Sequence, residues 1–390
     1  MNPAVDVPAA SAGALALMHN RNILWTAAQL LALAIPLLFL DTGLGARLRA
    51  ACARLTGGRW FWTVSLFACA YLALSALITL PFDYYRSYFG LHAAGWSRQS
   101  LPHWLSDEGA QLVVRLIAAL LFIWIPYRLI AARPRRWWLF GALALIPVAF
   151  LALVVLPVWV APLTTHYTPL NDPKLEAKIE ALAARCGVSH IPVFVGGDDT
   201  SVVGLGPTNR ILLQSDLASA ETPDQIEFTI GHELKHYVMG DNWKALAILA
   251  ALLLGGFWLA DRLGRAVLRR CSRRFGFSEL SDPASLPLIV LIFTGYWLCV
   301  LPFFNLFARH IEIEADRFGL ELTHENQATA MMFAKDAQSD LPPEWDAFFL
   351  TFRATHPSVG ERIRFANTYK PWEQGVPLVY GDVCKPVAHL

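Results

Sequence analysis

The sequence predicts a mainly α, polytopic membrane protein with about six transmembrane helices and a small α+β domain assembled from two segments. Of its 390 residues, 55% are hydrophobic and only 16% are charged, whereas soluble domains carry roughly 25% charged residues. The mean hydropathy is +0.41, and long apolar segments alternate with two polar regions. The formal net charge of +1 argues against a nucleic-acid partner, which requires a concentrated basic face.

Six apolar segments are long enough to cross roughly 30 Å of hydrocarbon. They are Ile23–Leu40, Trp60–Leu80, Gln111–Ala131, Trp137–Pro162, Trp243–Ala260 and Leu286–Phe307. Tryptophans at several segment ends are typical of the aromatic belt at a membrane interface. A signal peptide is the alternative for the first segment, because Arg21 precedes it. Its length and the five segments that follow favour a retained anchor.

These segments divide the chain into five predicted regions. The regions are an N-terminal tail (1–22), four transmembrane helices (23–162), the first part of the polar domain (163–242), a transmembrane hairpin (243–307) and the second part of the polar domain (308–390). The six cysteines include no C-x-x-C pair, so neither a disulfide framework nor a zinc ribbon is expected from their spacing.

Arginines are unequally distributed between the two sides of the predicted membrane. The loops after the first, third and fifth segments hold fourteen: Arg47, Arg49, Arg54, Arg59, Arg128, Arg133, Arg135, Arg136, Arg262, Arg265, Arg269, Arg270, Arg273 and Arg274. The short segments on the other side hold three, Arg21, Arg86 and Arg98. The positive-inside rule therefore places the arginine-rich loops in the cytoplasm and the polar domain on the opposite side.

The first polar region is expected to contain two helices and a small sheet. Asp172-Pro173 and Thr222-Pro223 are typical helix starts, while Gly187 and Gly240 are typical helix ends. The stretches "IPVFVGG", "TSVVGLG" and "RILLQSD" between those helices are typical of strands.

The second of these helices contains "HELKH", in which His232 and His236 are four residues apart. On a helix both imidazoles project from one face, so two ring nitrogens can reach one tetrahedral zinc ion. Glu233 is placed to act as general base on a water whose pKa the zinc lowers. The alternative is a solvated helical face with incidental histidines, which the flanking helix start and stop make less favourable.

A catalytic zinc commonly has three protein ligands and one open position, so a third ligand is expected elsewhere. The stretch "NLFARHIEIEADRFG" (305–319) offers Glu312 and Asp316, one helical turn apart. Asp316 can accept the free N–H of a ligating histidine and fix its tautomer. His310 is a competing ligand, whereas Glu314 is expected to face solvent.

Together these two stretches resemble the type I CAAX prenyl endopeptidase family, integral-membrane zinc metalloproteases that process farnesylated peptides. The family pattern N-x-x-S-R-x-x-E-x-x-A-D is matched by Asn305, Arg309, Glu312 and Asp316, with Ala308 where serine is usual. The resemblance implies a zincin-like catalytic domain and one zinc ion, with Glu312 as third ligand. It also implies that Asp316, Asn305 and Arg309 support the ligands.

Two further stretches agree with this resemblance. Residues 84–108 are similar to a family segment between the N-terminal spans, and "THPSVGERIRF" (355–365) resembles the family's C-terminal H-P-x-x-x-E-R signature. The second match implies that His356 holds substrate or stabilises the tetrahedral oxyanion, with Glu361 and Arg362 in support. Taken alone, a histidine before proline is more often an ordinary surface turn.

The chain also departs from the family. Where the family's edge strand carries Asn-Ala, this chain has Asp199 and Thr200, followed by Ser201 and Val202. Such a strand holds an extended peptide through its backbone, so side-chain changes alter specificity more than binding. The chain has six predicted spans where seven are typical, and the family cuts on the cytosolic side, whereas the arginine distribution places this site outside.

The predicted function is that of a membrane zinc endopeptidase acting on membrane-associated or lipidated, CAAX-like proteins. The composition, rich in alanine, arginine and tryptophan, is typical of bacteria, so a bacterial inner membrane is the expected location. The enzymatic alternative is quality control of membrane and envelope proteins. The alternative of another class is a non-catalytic scaffold with structural zinc, which requires a fourth protein ligand.

Overall fold

The computed structural model describes residues 3–188, 191–204, 208–337 and 342–384. The α-helices up to residue 164 are α1 (Ala12–Asp41), α2 (Leu44–Leu55), α3 (Trp60–Asp83), α4 (Gly90–Ala93), α5 (Leu101–Phe122), α6 (Trp124–Ala132), α7 (Trp137–Phe150) and α8 (Ala161–Thr164). Two π-helical stretches, Tyr84–Phe89 and Leu151–Val160, continue α3 and α7.

The C-terminal part contains the strands and the remaining helices. They are β1 (Thr168–Pro169), α9 (Pro173–Arg185), β2 (Val193–Val195), β3 (Ser201–Val203), β4 (Arg210–Leu213), α10 (Ser215–Ala220), α11 (Pro223–Val238), α12 (Asp241–Phe275), α13 (Leu286–Thr323), α14 (Asn326–Asp336), α15 (Ala347–Phe352) and α16 (Val359–Thr368). Short 3-10 turns lie at Pro283–Ser285 and Pro371–Gln374.

The predicted polytopic membrane architecture is confirmed. Among the described residues six helical stretches are long and apolar enough to span a membrane: Ala12–Asp41, Trp60–Ala93, Leu101–Ala132, Trp137–Thr164, Asp241–Phe275 and Pro283–Thr323. Each contains one of the predicted apolar segments and extends beyond it. The extension is greatest in α12 and α13, whose polar ends continue as helix outside the apolar segments.

One compact unit, called here the membrane unit, comprises Ile23–Leu145 and Ala250–Cys299. Its buried polar centre is Asp261, which is 2% exposed and accepts hydrogen bonds from Trp137 Nε1 at 2.7 Å and Arg265 Nε at 2.8 Å. Because a buried carboxylate is stable only when paired, these bonds fix α12 against the start of α7.

The second compact unit, called here the catalytic unit, contains the residues up to Asn22, Ile146–Leu249 and the chain from Val300 onward. Its four-stranded sheet has the order β1-β2-β4-β3. Strand β2 pairs parallel with β4, while β3 pairs antiparallel with β4. Strand β3 is therefore an edge strand. The core behind the sheet is formed by apolar residues of α9, α11 and α13.

The predicted helix starts in this unit are confirmed. Asp172 accepts hydrogen bonds from the backbone N–H groups of Lys174 and Leu175 at the start of α9. Thr222 and Gln225 form a reciprocal capping box at the start of α11, which satisfies donors that a helix end leaves unpaired. The three predicted strands are also present; the last two residues of "TSVVGLG" lie outside the described residues.

Helices α11 and α13 cross closely at two glycines. A Cβ atom on Gly231 would lie 3.2 Å from the Cα atom of Gly319, and one on Gly319 would lie 3.0 Å from Phe228 Cε2. A side chain at either position requires its neighbour on the other helix to shift by a few tenths of an ångström. The glycine pair therefore sets the short distance between the helix with the histidines and the helix with Glu312.

The C-terminal segment is fastened to α13 and to α9. Glu321, which is 3% exposed, accepts hydrogen bonds from the N–H groups of Val379 and Tyr380 and from the Tyr369 hydroxyl. A disulfide joins Cys186 to Cys384 across 198 residues of sequence. The expectation that the cysteines form no disulfide framework misses this bond, because the fold brings the two cysteines together.

Candidate metal centre

Two histidines of α11 and one glutamate of α13 converge in the catalytic unit. His232 Nε2 lies 3.3 Å from His236 Nε2 and 3.2 Å from Glu312 Oε2, and His236 Nε2 lies 3.6 Å from Glu312 Oε1. One ligand atom from each residue falls within 4.8 Å of the others. The i, i+4 spacing on α11 and the glycine crossing with α13 produce this convergence.

These distances fit a tetrahedral metal ion. Two atoms bound at 2.0–2.1 Å to such an ion are about 3.3 Å apart, close to the three observed separations. Glu312 Oε2 is buried and lies 3.2 Å from His232 Nε2 and 3.3 Å from His356 Nε2, so its nearest polar neighbours are the imidazoles of the site. Among the described residues no fourth histidine, cysteine or carboxylate joins the group, which leaves one position for water or substrate.

His232 is oriented by a chain of buried charges. Its Nδ1 lies 2.9 Å from Asp316 Oδ1, and Asp316 accepts two hydrogen bonds from Arg362, one of them from Nε at 2.8 Å. Burial lowers the pKa of His232, but hydrogen bonds to Asp316 and Glu312 outweigh it and raise the pKa to about 9. In the absence of metal the imidazole therefore holds a proton at neutral pH.

His236 is oriented by Asp241, a residue that sequence reasoning missed. Asp241 Oδ2 lies 3.0 Å from His236 Nδ1 and accepts a hydrogen bond from the buried Lys235 Nζ at 2.7 Å. Lys235 also donates to the carbonyl of Ile311 at 2.8 Å, next to Glu312. The available signal was an aspartate one residue after the Gly240 helix stop, where the chain turns back towards the last turn of α11.

Glu233 lies beside His232 but is not part of the His-His-Glu group. Its Oε1 is 4.0 Å from His232 Nε2, and its side chain is largely buried. Burial raises the pKa of Glu233, although the neighbouring histidines lower it. A carboxylate with a raised pKa is suited to accepting and returning a proton near neutral pH.

His356 lies at the exposed edge of the metal centre. Its Nε2 is 3.3 Å from Glu312 Oε2, and 54% of its side chain is exposed. Partial desolvation of the ring lowers the pKa of His356, so the ring is neutral at pH 7 and one nitrogen carries a hydrogen. This places a hydrogen-bond donor next to Glu312, on the side open to solvent.

Asn305, Arg309 and Glu361 lie further from the ligands than Asp316 does. Asn305 Nδ2 donates to the Thr351 carbonyl at 3.0 Å. Arg309 donates to the carbonyls of Leu350 and Ala354. Glu361 accepts from the N–H of Ser358 at 2.8 Å in the capping box of α16. All three contact the chain on either side of His356.

Two residues weighed at the sequence level lie apart from the site. His310 is exposed and is absent from the ligand group formed by the described residues. The expectation that Glu314 faces solvent is wrong. Glu314 forms a salt bridge with Arg317 and accepts a hydrogen bond from the Tyr380 hydroxyl, because the C-terminal segment covers this face of α13.

The predicted substrate strand borders a cleft of about 800 Å³. Strand β3 supplies Ser201 and Val203 to its wall, and Asp199 precedes them. Thr200 is turned inward, since its hydroxyl accepts a hydrogen bond from the N–H of Gln214 at 3.0 Å. The Asp199 carboxylate is near enough to Glu233 to contribute to its raised pKa. The chain just before β3 thus lies close to Glu233.

Comparison with protein families gives two matches that cover most of the chain. Residues 169–370 match peptidase family M48. Residues 18–166 match the CAAX prenyl protease N-terminal family, described as five membrane helices. Three of the described spanning helices fall within that second range, and a fourth, Ala12–Asp41, begins six residues before it.

Individual proteins agree with these matches. The metalloprotease YhfN of Bacillus subtilis, which is described as uncharacterized, is 30% identical over 305 residues, covering 75% of this chain and 71% of its own. CAAX prenyl protease 1 of Saccharomyces cerevisiae is 23% identical, covering 75% and 69%. The crystal structure of S. mikatae Ste24p has the same fold, with a TM-score of 0.69 at 19% identity, covering 85% of this chain and 83% of that one.

The likeness to CAAX prenyl endopeptidases that the sequence motifs predict is thus confirmed, and the family implies a metal cofactor for the His-His-Glu group. The chain is a multi-pass membrane protein that belongs to peptidase family M48.

Proposed function

We propose that this protein is an integral-membrane, zinc-dependent endopeptidase, with His232, His236 and Glu312 as ligands of one zinc ion. The observation that supports this proposal most directly is the group of three potential ligand atoms, which are separated by 3.2–3.6 Å and lie beside a non-ligating glutamate. Two imidazoles, one carboxylate and an open position form the ligand set of several zinc peptidases. A closed structural site is disfavoured, since the described residues add no fourth ligand.

The protein's own groups supply proton transfer and positioning. A bound zinc ion provides Lewis acidity, which polarises the scissile carbonyl and makes a water more acidic. Glu233 takes the proton of that water and returns it to the leaving amine nitrogen. His356 donates a hydrogen bond to the negative charge that develops on the carbonyl oxygen. Asp316 and Asp241 hold the two imidazoles in the tautomer that leaves Nε2 free to bind the metal.

The substrate binds as an added strand along the open edge of β3. Strand β3 pairs only with β4 among the described strands, so its other edge offers N–H and C=O groups to an extended peptide. The cleft beside it is also lined by Leu156, Pro157 and Val160, which belong to a predicted membrane span. An apolar wall of this kind suits a substrate segment that is lipidated or leaves the bilayer.

We place the catalytic unit on the non-cytoplasmic side of a bacterial inner membrane. Fourteen arginines in the three loops on the opposite side support this orientation. The Cys186–Cys384 disulfide supports it independently, because disulfides persist in oxidising compartments and are rare in the cytosol. This side favours cleavage of membrane and envelope proteins in quality control as the second candidate function, beside CAAX-like processing.

The test compares Glu233→Gln with wild type in purified form and in membranes. We expect Glu233→Gln to keep its zinc, by elemental analysis, and to lose peptide cleavage by at least about a hundredfold, because the proton acceptor is gone. Glu312→Gln should lower zinc content, while Glu314→Gln, two residues away, should change neither property. Cleavage by purified Glu233→Gln at the wild-type rate contradicts the mechanism.

Proteomics of membranes carrying either form separates the two substrate classes. Accumulation of lipidated fragments in the variant supports processing, whereas accumulation of misfolded envelope proteins supports quality control. Cysteine labelling with a membrane-impermeant maleimide, before and after reduction, tests the orientation. Labelling of Cys384 only after the membrane is breached contradicts it.

A further inference from the structure

A cavity of about 600 Å³ lies in the membrane unit and is lined by none of the metal centre's residues. Its three walls are the end of α6 with Pro134, the Arg265–Ser272 stretch of α12 and the Ser278–Ser281 loop before α13. Ile130 and Ala131 end the third predicted apolar segment, Arg265 lies five residues after the fifth, and Ser281 lies five residues before the sixth, all on the arginine-rich side. The cavity therefore lies where the hydrocarbon of the bilayer ends and the headgroup layer begins.

The floor of the cavity is apolar and its mouth is cationic. Ile130, Leu268 and Leu280 are 3–4% exposed and pack together below. Arg265 and Arg269 are four residues apart on α12, so both guanidinium groups project from the same helical face. This combination matches an amphiphile with an anionic headgroup better than a freely soluble ion.

Arg265 is held in place before any ligand arrives. Its Nε donates to Asp261 at 2.8 Å, and its Nη2 donates to the Pro134 carbonyl. Its Nη1 amino group has no hydrogen-bond partner among the described residues, so it remains available to a ligand. Fixing the guanidinium in advance removes part of the entropy cost of binding.

Arg269 supplies the free charge of the site. It is exposed, and no ion pair or hydrogen bond of its side chain occurs in the part of the chain that is described. Ser272 and Ser278 also line the cavity. The lining carboxylate, Glu279, accepts a hydrogen bond from the Ser281 hydroxyl at 2.9 Å and opposes anion binding.

We propose that this cavity binds the phosphate headgroup of an anionic phospholipid, with Arg265 and Arg269 donating hydrogen bonds to the phosphate. A guanidinium presents several N–H groups in a geometry that suits phosphate oxygens. Basic pockets between transmembrane helices on the cytoplasmic side bind anionic headgroups. The bilayer supplies such lipids at this level, whereas a free phosphate ion gains nothing from the apolar floor.

The experiment measures binding of short-chain phosphatidylglycerol, phosphatidylcholine and inorganic phosphate to the purified full-length protein in neutral detergent. We expect phosphatidylglycerol to bind and to raise the melting temperature, at concentrations where the other two do not. Arg269→Gln should weaken the binding of phosphatidylglycerol about fivefold to tenfold. Arg270→Gln is the matched control: it removes the same charge from the adjacent exposed position, which does not line the cavity.

Glu279→Gln provides a change of opposite sign. It removes the lining carboxylate and should tighten phosphatidylglycerol binding. Equal weakening in Arg269→Gln and Arg270→Gln would show diffuse surface attraction and overturn the site. Equal binding of phosphatidylcholine, or of inorganic phosphate at the same concentration, would overturn the anionic lipid as its ligand.

Discussion

Replacement of Asp316 by asparagine tests the buried charge chain behind the metal centre. Asparagine keeps the shape of the side chain and removes its charge. His232 Nδ1, 2.9 Å away, then faces a neutral acceptor. Arg362 loses the carboxylate that receives its two hydrogen bonds.

The substitution should lower both the zinc affinity and the free energy of unfolding. Hydrogen bonds to charged groups contribute about 1.5–3 kcal/mol and neutral ones about 1 kcal/mol, and loss of such supporting contacts weakens metal binding about tenfold to hundredfold. The guanidinium of Arg362, mostly buried, is left without its partner, at a cost to folding of about 3–5 kcal/mol.

Proton competition sets the conditions of the measurement. In the metal-free wild type the pKa of His232 is raised to about 9, so at pH 7 a proton must leave before the metal binds. The Asp316→Asn variant lacks one of the groups that raise this pKa, so protons compete less with zinc for His232. The difference in zinc affinity between wild type and Asp316→Asn should therefore be largest above pH 9 and decrease as the pH falls towards 7.

The assay is zinc competition against a chelator at pH 9.5 and at pH 7, together with thermal melting. Glu314→Gln serves as the control, because Glu314 lies on the same helix and contacts Arg317 and Tyr380 instead of a ligand. Zinc affinity of Asp316→Asn within twofold of wild type at pH 9.5 would refute the reasoning.

Three further predictions concern protonation, the helix crossing and the C-terminal segment. The raised pKa of His232 means that its protonation stabilises the metal-free protein below pH 6.5, and that this stability is lost as the pH rises through about 9. Thermal melting of metal-free and zinc-loaded samples should show that loss in the metal-free sample alone. Gly319→Ala should destabilise the protein by about 1–3 kcal/mol and reduce its zinc content, because the new methyl group meets Phe228 and the backbone of His232. Gly295→Ala, on the same helix with open space around it, is its control and should be neutral in both measurements. Glu321→Gln should free the chain around Val379 and Tyr380 for limited proteolysis, with each weakened hydrogen bond contributing about 1 kcal/mol; unchanged protection would contradict the anchoring role.

The spanning helices and the grouping of His232, His236 and Glu312 are the parts that the sequence predicts well. Apolar segments of about twenty residues have few other solutions than a membrane span. The i, i+4 histidines of α11 are fixed by helix geometry alone. Glu312 needed the family resemblance as well, because nothing in the local pattern places α13 next to α11.

The features that the sequence does not predict depend on contacts between residues distant in sequence, or on a reversal of the chain direction. Cys186 and Cys384 are 198 residues apart, and their spacing contains no trace of the pairing. Asp241 begins α12 and reaches back to His236 only because the chain turns at Gly240. Glu361 was assigned to substrate support, although the S-x-x-E spacing from Ser358 was a readable capping signal.

The order of the ligands along the chain has a consequence for biosynthesis. Seventy-five residues, 237–311, separate His236 from Glu312, and they include both helices of the hairpin. At roughly 5–20 residues per second, a ribosome needs about 4–15 s to make them. During that interval the nascent chain carries the two histidines and Glu233 of the proposed site, but not yet Glu312. On the proposed ligand set, the metal centre is therefore completed only after the second helix of the hairpin has been made.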